Sequence, residues 1–573
     1  MKTVNSRSLR FLLSFVLMLA VVGIQDADAQ RKKKKKKKGK TEQVAPKPKP
    51  KPKKSVATLT KSSKKIEGLF TIFQDTVTGD VKLLIKEDQL NQDFIYFSQI
   101  ANGVLDAGQF KGAYQGSAIF HIKNYFNKIE FVAPNTSFYF DENNAISKAA
   151  NSNISDATIA SGKVLFHDAK AGEYLIDATK LFLSETFTRV KGPRFPGQSP
   201  FAFSLGRFDK TKSKIEEIKN YPENTNVKTE YVYNNPAVLN GGSSAVTDGR
   251  NVSIKVFHTF MNMPESDYET RMDDPRVGYF LTQTNNMTST DVVNYRDFIH
   301  RWKLVKKNPD ATISEPVTPI TWWIENTTPV EFRETIKDGV LAWNKAFEKA
   351  GFNNAMVVKI QPDDADWDAG DVRYNVLRWT SSPNPPFGGY GPSFVNPRTG
   401  EILGADIMLE WIYITKRIQQ GELFEHTSLF LDEENPMDEH YCSASALMQS
   451  NNLFAHSAVD AMELSQASKE TLIRESLRRL VLHEVGHTLG LNHNFKGSNL
   501  LTYEEILNKD TTYEKGLCSS VMEYPSINFS LEAENQGFYY DTIPGPYDHW
   551  AIRFAYSQVD DEGLNAILDE STK

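Results

Sequence analysis

The run His483-Glu484-Val485-Gly486-His487-Thr488-Leu489-Gly490-Leu491-Asn492-His493 constrains this chain more than any other feature, because its spacing permits few backbone paths. Positions four apart lie one turn above each other on one helix face, so His483 and His487 can present both rings to a single ion. Glu484 sits about 100° further round the same turn. There it can reach a water at the ion without ligating the metal, as general base and then proton shuttle. The helix must then stop. Gly490, just past its end, can take the left-handed conformation that glycine adopts without penalty, and the chain swings back to bring in His493 as third ligand. Three protein ligands leave a fourth position open, the mark of a catalytic rather than a structural zinc site.

A second element agrees with the first. Ser520-Val521-Met522-Glu523-Tyr524 has the S-x-M-x-Y form of a Met-turn. With both motifs the chain resembles the metzincin metallopeptidases. That resemblance implies an apolar floor under the zinc at Met522, and at Tyr524 a switchable fifth ligand that stabilises the oxyanion. More narrowly, Asp371-Val372-Arg373-Tyr374-Asn375-Val376, Asn396-Pro397-Arg398-Thr399-Gly400 and residues 483–496 are similar to a family of large, exported, poorly characterised bacterial zinc-dependent metalloproteases, a likeness covering about residues 66–558. Members of that family run on well past the Met-turn, so the end at Lys573 is a departure. The implied activity is that of a zinc endopeptidase acting on polypeptide with one catalytic Zn2+. Two rivals are a catalytically silent zinc-containing binding protein, which has no need of Glu484, and a gluzincin-type peptidase in which His493 is incidental. Gly490 and the Met-turn count against the latter.

The amino terminus is a targeting segment rather than part of the fold. Lys2, Arg7 and Arg10 precede an apolar run from Phe11 to Ile24, and Ala27-Asp28-Ala29 is a small-x-small cleavage site, as in a secretory signal peptide ending at Ala29. The run is too short for a membrane span. An exported protein without a transmembrane segment is expected. Residues 30–65 then carry 17 Lys+Arg against one acid, so the formal −6 of the chain divides into +16 there, +1 on residues 1–29 and −23 on residues 66–573. Alternating Lys-Pro cannot bury a core and favours extended polyproline II, so residues 30–65 read as a disordered linker that can touch an anionic surface. An exported acidic body argues against nucleic-acid binding. Cys442 and Cys518 permit one disulfide, and no cysteine lies upstream to hold the zinc latent.

At 573 residues the chain is too long for one ordinary core. Residues 66–300 read as a β-rich region of one or two modules, beginning with a hairpin around Asp75-Thr76-Val77-Thr78-Gly79-Asp80, and its His121, His167 and His258 read as structural. Residues 310–560 read as an α+β metzincin-like catalytic domain, a twisted mixed sheet with long helices, zinc helix and Met-turn, followed by a polar tail, 561–573. Thr328-Pro329-Val330-Glu331 predicts a capping box, and Phe332, Ile336, Val340, Trp343 and Phe347 follow helical spacing up to Gly351. The zinc helix is expected from near Ser468, with Ile473, Leu477, Leu480, Val481 and Val485 as its buried stripe. Asp363, Asp364, Asp366, Asp368 and Asp371 crowd one loop that either holds Ca2+ or is simply solvated. Gly388-Gly389-Tyr390-Gly391 reads as a flexible loop. The clan resemblance implies a sheet-edge strand at Ile402, Leu403, Gly404, Ala405 and Asp406 that pairs with extended substrate.

Overall fold

The computed structural model describes residues 54–573, apart from Asn151, 194–198, Pro200, Glu265, Ser266, Asn384, Pro386, Phe387, 416–443, Leu464, Leu531, Ala533, Glu534 and Lys573. The expected signal peptide, the linker up to Lys53 and Cys442 lie outside those residues.

Period-two alternation builds the upstream region. Along Asn251–Asn262, Val252, Ile254 and Val256 are buried while Asn251 and Ser253 are exposed, the pattern of a strand with one face on a core. Such strands join into one 12-stranded antiparallel sheet. It curls until distant strands meet: the Leu69 N–H donates to the Tyr221 carbonyl at 2.7 Å, and Asn220 Nδ2 donates to the carbonyls of Ile66 and Phe70 at 3.1 and 2.6 Å. The expected first hairpin forms, with Thr71–Asp75 against Val81–Lys86 and Gly79 at φ +77° in the turn. Two short pairings lie outside that sheet, Phe138–Tyr139 with Asn285–Asn286 and Leu281–Thr282 with Phe298–Ile299. The edge of the large sheet begins inside the stretch read as linker, because Ser63–Ile66 pairs with Thr71–Asp75. Lys64 and Lys65 are exposed there, and lysines are what an unpaired edge carries to discourage pairing with other chains.

The second sheet is mixed. In it β1 (Ile320–Ile324), β2 (Met356–Ile360), β3 (Asn375–Thr380) and β6 (Glu401–Glu410) are parallel in the order β2-β1-β3-β6, with β4 (Gly389–Tyr390) and β5 (Ser393–Val395) antiparallel along β6. Helices α1 (Val330–Leu341) and α2 (Asn344–Lys349) cross from β1 to β2, while α3 (Ala444–Ala461), α4 (Gln466–Thr488) and α5 (Pro546–Tyr556) follow β6. Ile336, Val340, Trp343 and Phe347 are wholly buried as their spacing predicts. The capping box at Thr328 does not form: Pro329 takes the N-cap position, which leaves no side-chain cap.

The zinc helix is α4, capped by Ser465, whose side chain accepts from the Ser468 N–H. Leu477, Leu480, Val481 and Val485 are buried, but Leu472 replaces the half-buried Ile473 in the core. From Arg479 to Leu491 every residue is buried. A helix enclosed on all sides shows no single apolar stripe, so amphipathic reading places only its first half correctly. Among the described residues no helix is long and apolar enough to cross a membrane.

Candidate metal centre and active site

Helix α4 ends where the ligand spacing requires. Gly490 stands at φ +97°, and a Cβ on it would lie 2.0 Å from the His300 carbonyl oxygen, so both conformation and space demand glycine. The chain turns back and His493 joins His483 and His487, with one ring nitrogen of each within 4.8 Å of the others. Among the described residues this is the one group of His, Cys, Asp and Glu that could hold a metal. His483 Nδ1 donates to the Val521 carbonyl at 2.7 Å and His487 Nδ1 to the Leu491 carbonyl at 2.9 Å. Each bond fixes the tautomer and leaves Nε2 as the ligand atom. Burial holds two of the rings neutral, as ligands must be: it pushes His493 down to about 4, and His483 well below its usual range, helped by His487 and Arg479.

Glu484 is fully buried, yet among the described residues neither its Oε1 nor its Oε2 has a hydrogen-bond partner. Burial raises its carboxyl to about 8 against the opposing charge of Arg479. An orphaned buried carboxylate of this kind costs stability unless something else engages it. Beside it runs β4: a Cβ on Gly389 would stand 2.9 Å from Oε1 and one on Gly391 3.3 Å from Oε2. The glycine run is therefore a buried strand and its exit, not the expected flexible loop, and glycine is what lets the backbone pass so close to Glu484. Three converging imidazoles beside a buried carboxylate without a partner among the described residues fit a zinc ion with one open position.

The Met-turn lies beneath. Met522 is wholly buried, and a Cβ on Gly486 would lie 2.4 Å from its Sδ, so Gly486 admits the methionine to the underside of the helix. Buried Asp548 holds the turn by accepting from Ser520 Oγ at 2.7 Å, the Val521 N–H at 2.8 Å and the Gly545 N–H at 2.8 Å, while burial raises its carboxyl to about 6. Arg479, one turn before His483, pairs with Asp541 at 3.2 Å and donates to the Glu523 carbonyl at 2.8 Å. The Tyr524 hydroxyl lies 2.8 Å from His493 Nε2. Sequence reading misses Arg479, Gly486, Asp541 and Asp548. Tyr547-Asp548-His549-Trp550 announces only a helix start, and the x positions of the zinc motif carry no periodic signal that marks Gly486.

Ile402 to Asp406 is not a sheet edge: β5 pairs with Ile402, Gly404 and Ala405 on one flank, while Trp302 pairs with Ile402 and β3 with Asp406 onward on the other. The Asn396–Gly400 turn folds β5 back on β6, so β4 and β5 occupy that flank. In the acidic loop Asp371 pairs with Arg373 at 2.6 Å and Asp368 with Lys219 at 3.2 Å, and among the described residues its carboxylates form no cluster that could hold a metal. Cys518 is buried, and its expected partner Cys442 lies outside the described residues.

These features define the class as a zinc metallopeptidase. Residues 465–573 match the family model described as Met-zincin, so the carboxy-terminal part of the chain is a met-zincin domain behind a β-rich amino-terminal region. Residues 114–307 match a model described as Domain of unknown function (DUF5117). No curated protein and no solved structure matches the chain.

Proposed function

We propose that the chain is a zinc-dependent endopeptidase that hydrolyses exported or extracellular proteins. The observation that carries this reading is Glu484, buried beside three converging histidines with no partner among the described residues. His483, His487 and His493 would hold the metal. Bound zinc supplies a Lewis acid that polarises a carbonyl and lowers the pKa of water to about 7. Glu484 takes the proton of the attacking water on a carboxylate oxygen and passes it to the leaving amine. Its burial supports this, since a base whose proton affinity lies near neutrality both accepts and returns a proton. Tyr524, at the rim of the triad, donates its hydroxyl to the developing oxyanion. A signal-like segment before residue 30 supports export. A silent zinc-binding protein has no use for a carboxylate left unsatisfied at the metal.

The test is a library of peptides blocked at both ends, cleaved by the wild type and by Glu484→Gln. Internal cleavage by the wild type and a loss of about 10²- to 10⁴-fold in the variant, with zinc content kept, is expected. Equal cleavage by both would refute the assignment.

A further inference from the structure

The last stretch matched by the domain of unknown function reaches the metal centre from outside the met-zincin match. A helix end leaves carbonyls without intrahelical partners, and at the exit of the zinc helix the upstream segment donates to two carbonyls. Trp302 Nε1 donates to the Thr488 carbonyl at 2.7 Å, and the Phe280 N–H donates to the Gly490 carbonyl at 2.8 Å. Between them the Leu489 carbonyl accepts from the Tyr556 hydroxyl at 2.9 Å, which in turn accepts from the Trp302 N–H at 3.2 Å. Tyr279 forms an antiparallel bridge with Leu491, and the Asn492 N–H donates to the Gly278 carbonyl at 3.1 Å.

This pairing acts on the ligands. The Leu491 carbonyl that orients His487 belongs to a residue held by Tyr279, and His493 follows Asn492, held by Gly278. Phe280 is 7% exposed, and its ring centroid lies 5.6 Å from that of His487. The far side of the clamp is fixed too: the His300 N–H donates to the Phe280 carbonyl at 2.8 Å, and the His300 carbonyl stands against Gly490. Further anchors are the Tyr279 hydroxyl on the Ala551 carbonyl at 2.8 Å and the Tyr547 hydroxyl on the Gly278 N–H at 2.9 Å.

We infer that residues 278–302 are a clamp that positions the zinc ligands, with Phe280 a positioning residue for His487, so that the β-rich region works as a permanent part of the peptidase and is not released as a propeptide. The inference rests on the zinc-peptidase reading. It gives the domain of unknown function a role: it completes a metal centre whose ligands lie in the other match.

The experiment uses the full chain, with zinc affinity measured by competition with a chelator. Phe280→Ala should weaken zinc retention about 10- to 100-fold, as loss of a group supporting a ligand does. Phe280→Leu should restore most of it, and KM at saturating zinc should not change in either variant. Trp302→Phe, which removes the Nε1 donor while keeping an aromatic ring, should also weaken retention. A second arm places a site-specific protease sequence in the exposed loop Asn308–Ile313. After cleavage the two fragments should elute together with zinc, or the carboxy fragment should separate and lose it. Unchanged zinc affinity in Phe280→Ala and Trp302→Phe, or a carboxy fragment that elutes alone with zinc, would overturn the clamp. A wild type that binds no zinc would instead overturn the peptidase reading beneath it.

Discussion

His258 in the curled sheet and His483 in the zinc helix are both 0% exposed, and burial depresses both rings, but the protein treats them in opposite ways. Around His258 every polar atom is used. The Tyr96 hydroxyl lies 2.8 Å from Nδ1, and Nε2 lies 3.1 Å from both the Thr229 and Tyr231 hydroxyls. Because the Tyr231 hydroxyl donates to the Ser184 carbonyl, Nε2–H is the donor to it, and Tyr96 donates to Nδ1. In the zinc helix the Nδ1 atoms of His483 and His487 are bonded to carbonyls while their other nitrogens converge with His493, and the adjoining Glu484 carboxylate has no partner among the described residues. A network closed by the polypeptide itself is structural. A buried set that closes only when something else arrives is a site.

Breaking the comparison at its strongest point gives the largest effect. His493→Ala should lose bound zinc, and with it turnover, as fully as His487→Ala, because either leaves two protein ligands; metal analysis after dialysis reads this out. His258→Gln should keep zinc at the wild-type level. Next comes Tyr524→Phe, which should lower kcat by about 10²- to 10³-fold with KM and zinc content unchanged, the loss typical of one oxyanion donor.

A pH series sharpens the contrast further. Burial lowers His258 to about 3 in the folded state, below the value near 6.5 of an unfolded chain. The native state therefore refuses a proton that the unfolded state accepts. The stability this contributes is complete above pH 6.5 and is lost as pH falls toward 3. His258→Gln should flatten the decline between pH 6.5 and 4 by a few kcal/mol, read from denaturant midpoints, since each tenfold difference in proton affinity between the two states is worth about 1.4 kcal/mol. Smaller still, Gly486→Ala should destabilise the domain by about 1–3 kcal/mol, because the new Cβ drives into Met522 Sδ, and zinc retention should fall with it.

The site is far more legible in the sequence than its frame. Ligand chemistry demands fixed residue types at fixed spacings, so the motif alone places His483, Glu484, His487, Gly490 and His493, and resemblance adds Met522 and Tyr524. Strand alternation likewise reveals the upstream region as β-rich and locates its first hairpin. Pairing across long separations leaves no such trace. Nothing in Ile402 to Asp406 shows that β5 folds back to cover it, and nothing near Phe280 or Trp302 shows that they meet a helix end about 200 residues away, at Thr488 and Gly490. Gly389 and Gly391 mislead for the same reason: a glycine run signals freedom in sequence, while here it serves close approach to Glu484.

The central claim, that His483, Glu484, His487 and His493 form a zinc site used for peptide hydrolysis, is tested most directly by metal analysis and peptide-library cleavage on one preparation of the full chain, before and after chelation. One zinc per chain, cleavage lost on chelation and cleavage restored by added zinc are predicted. Cleavage that persists after the metal is removed, or a chain that binds no zinc, would contradict it.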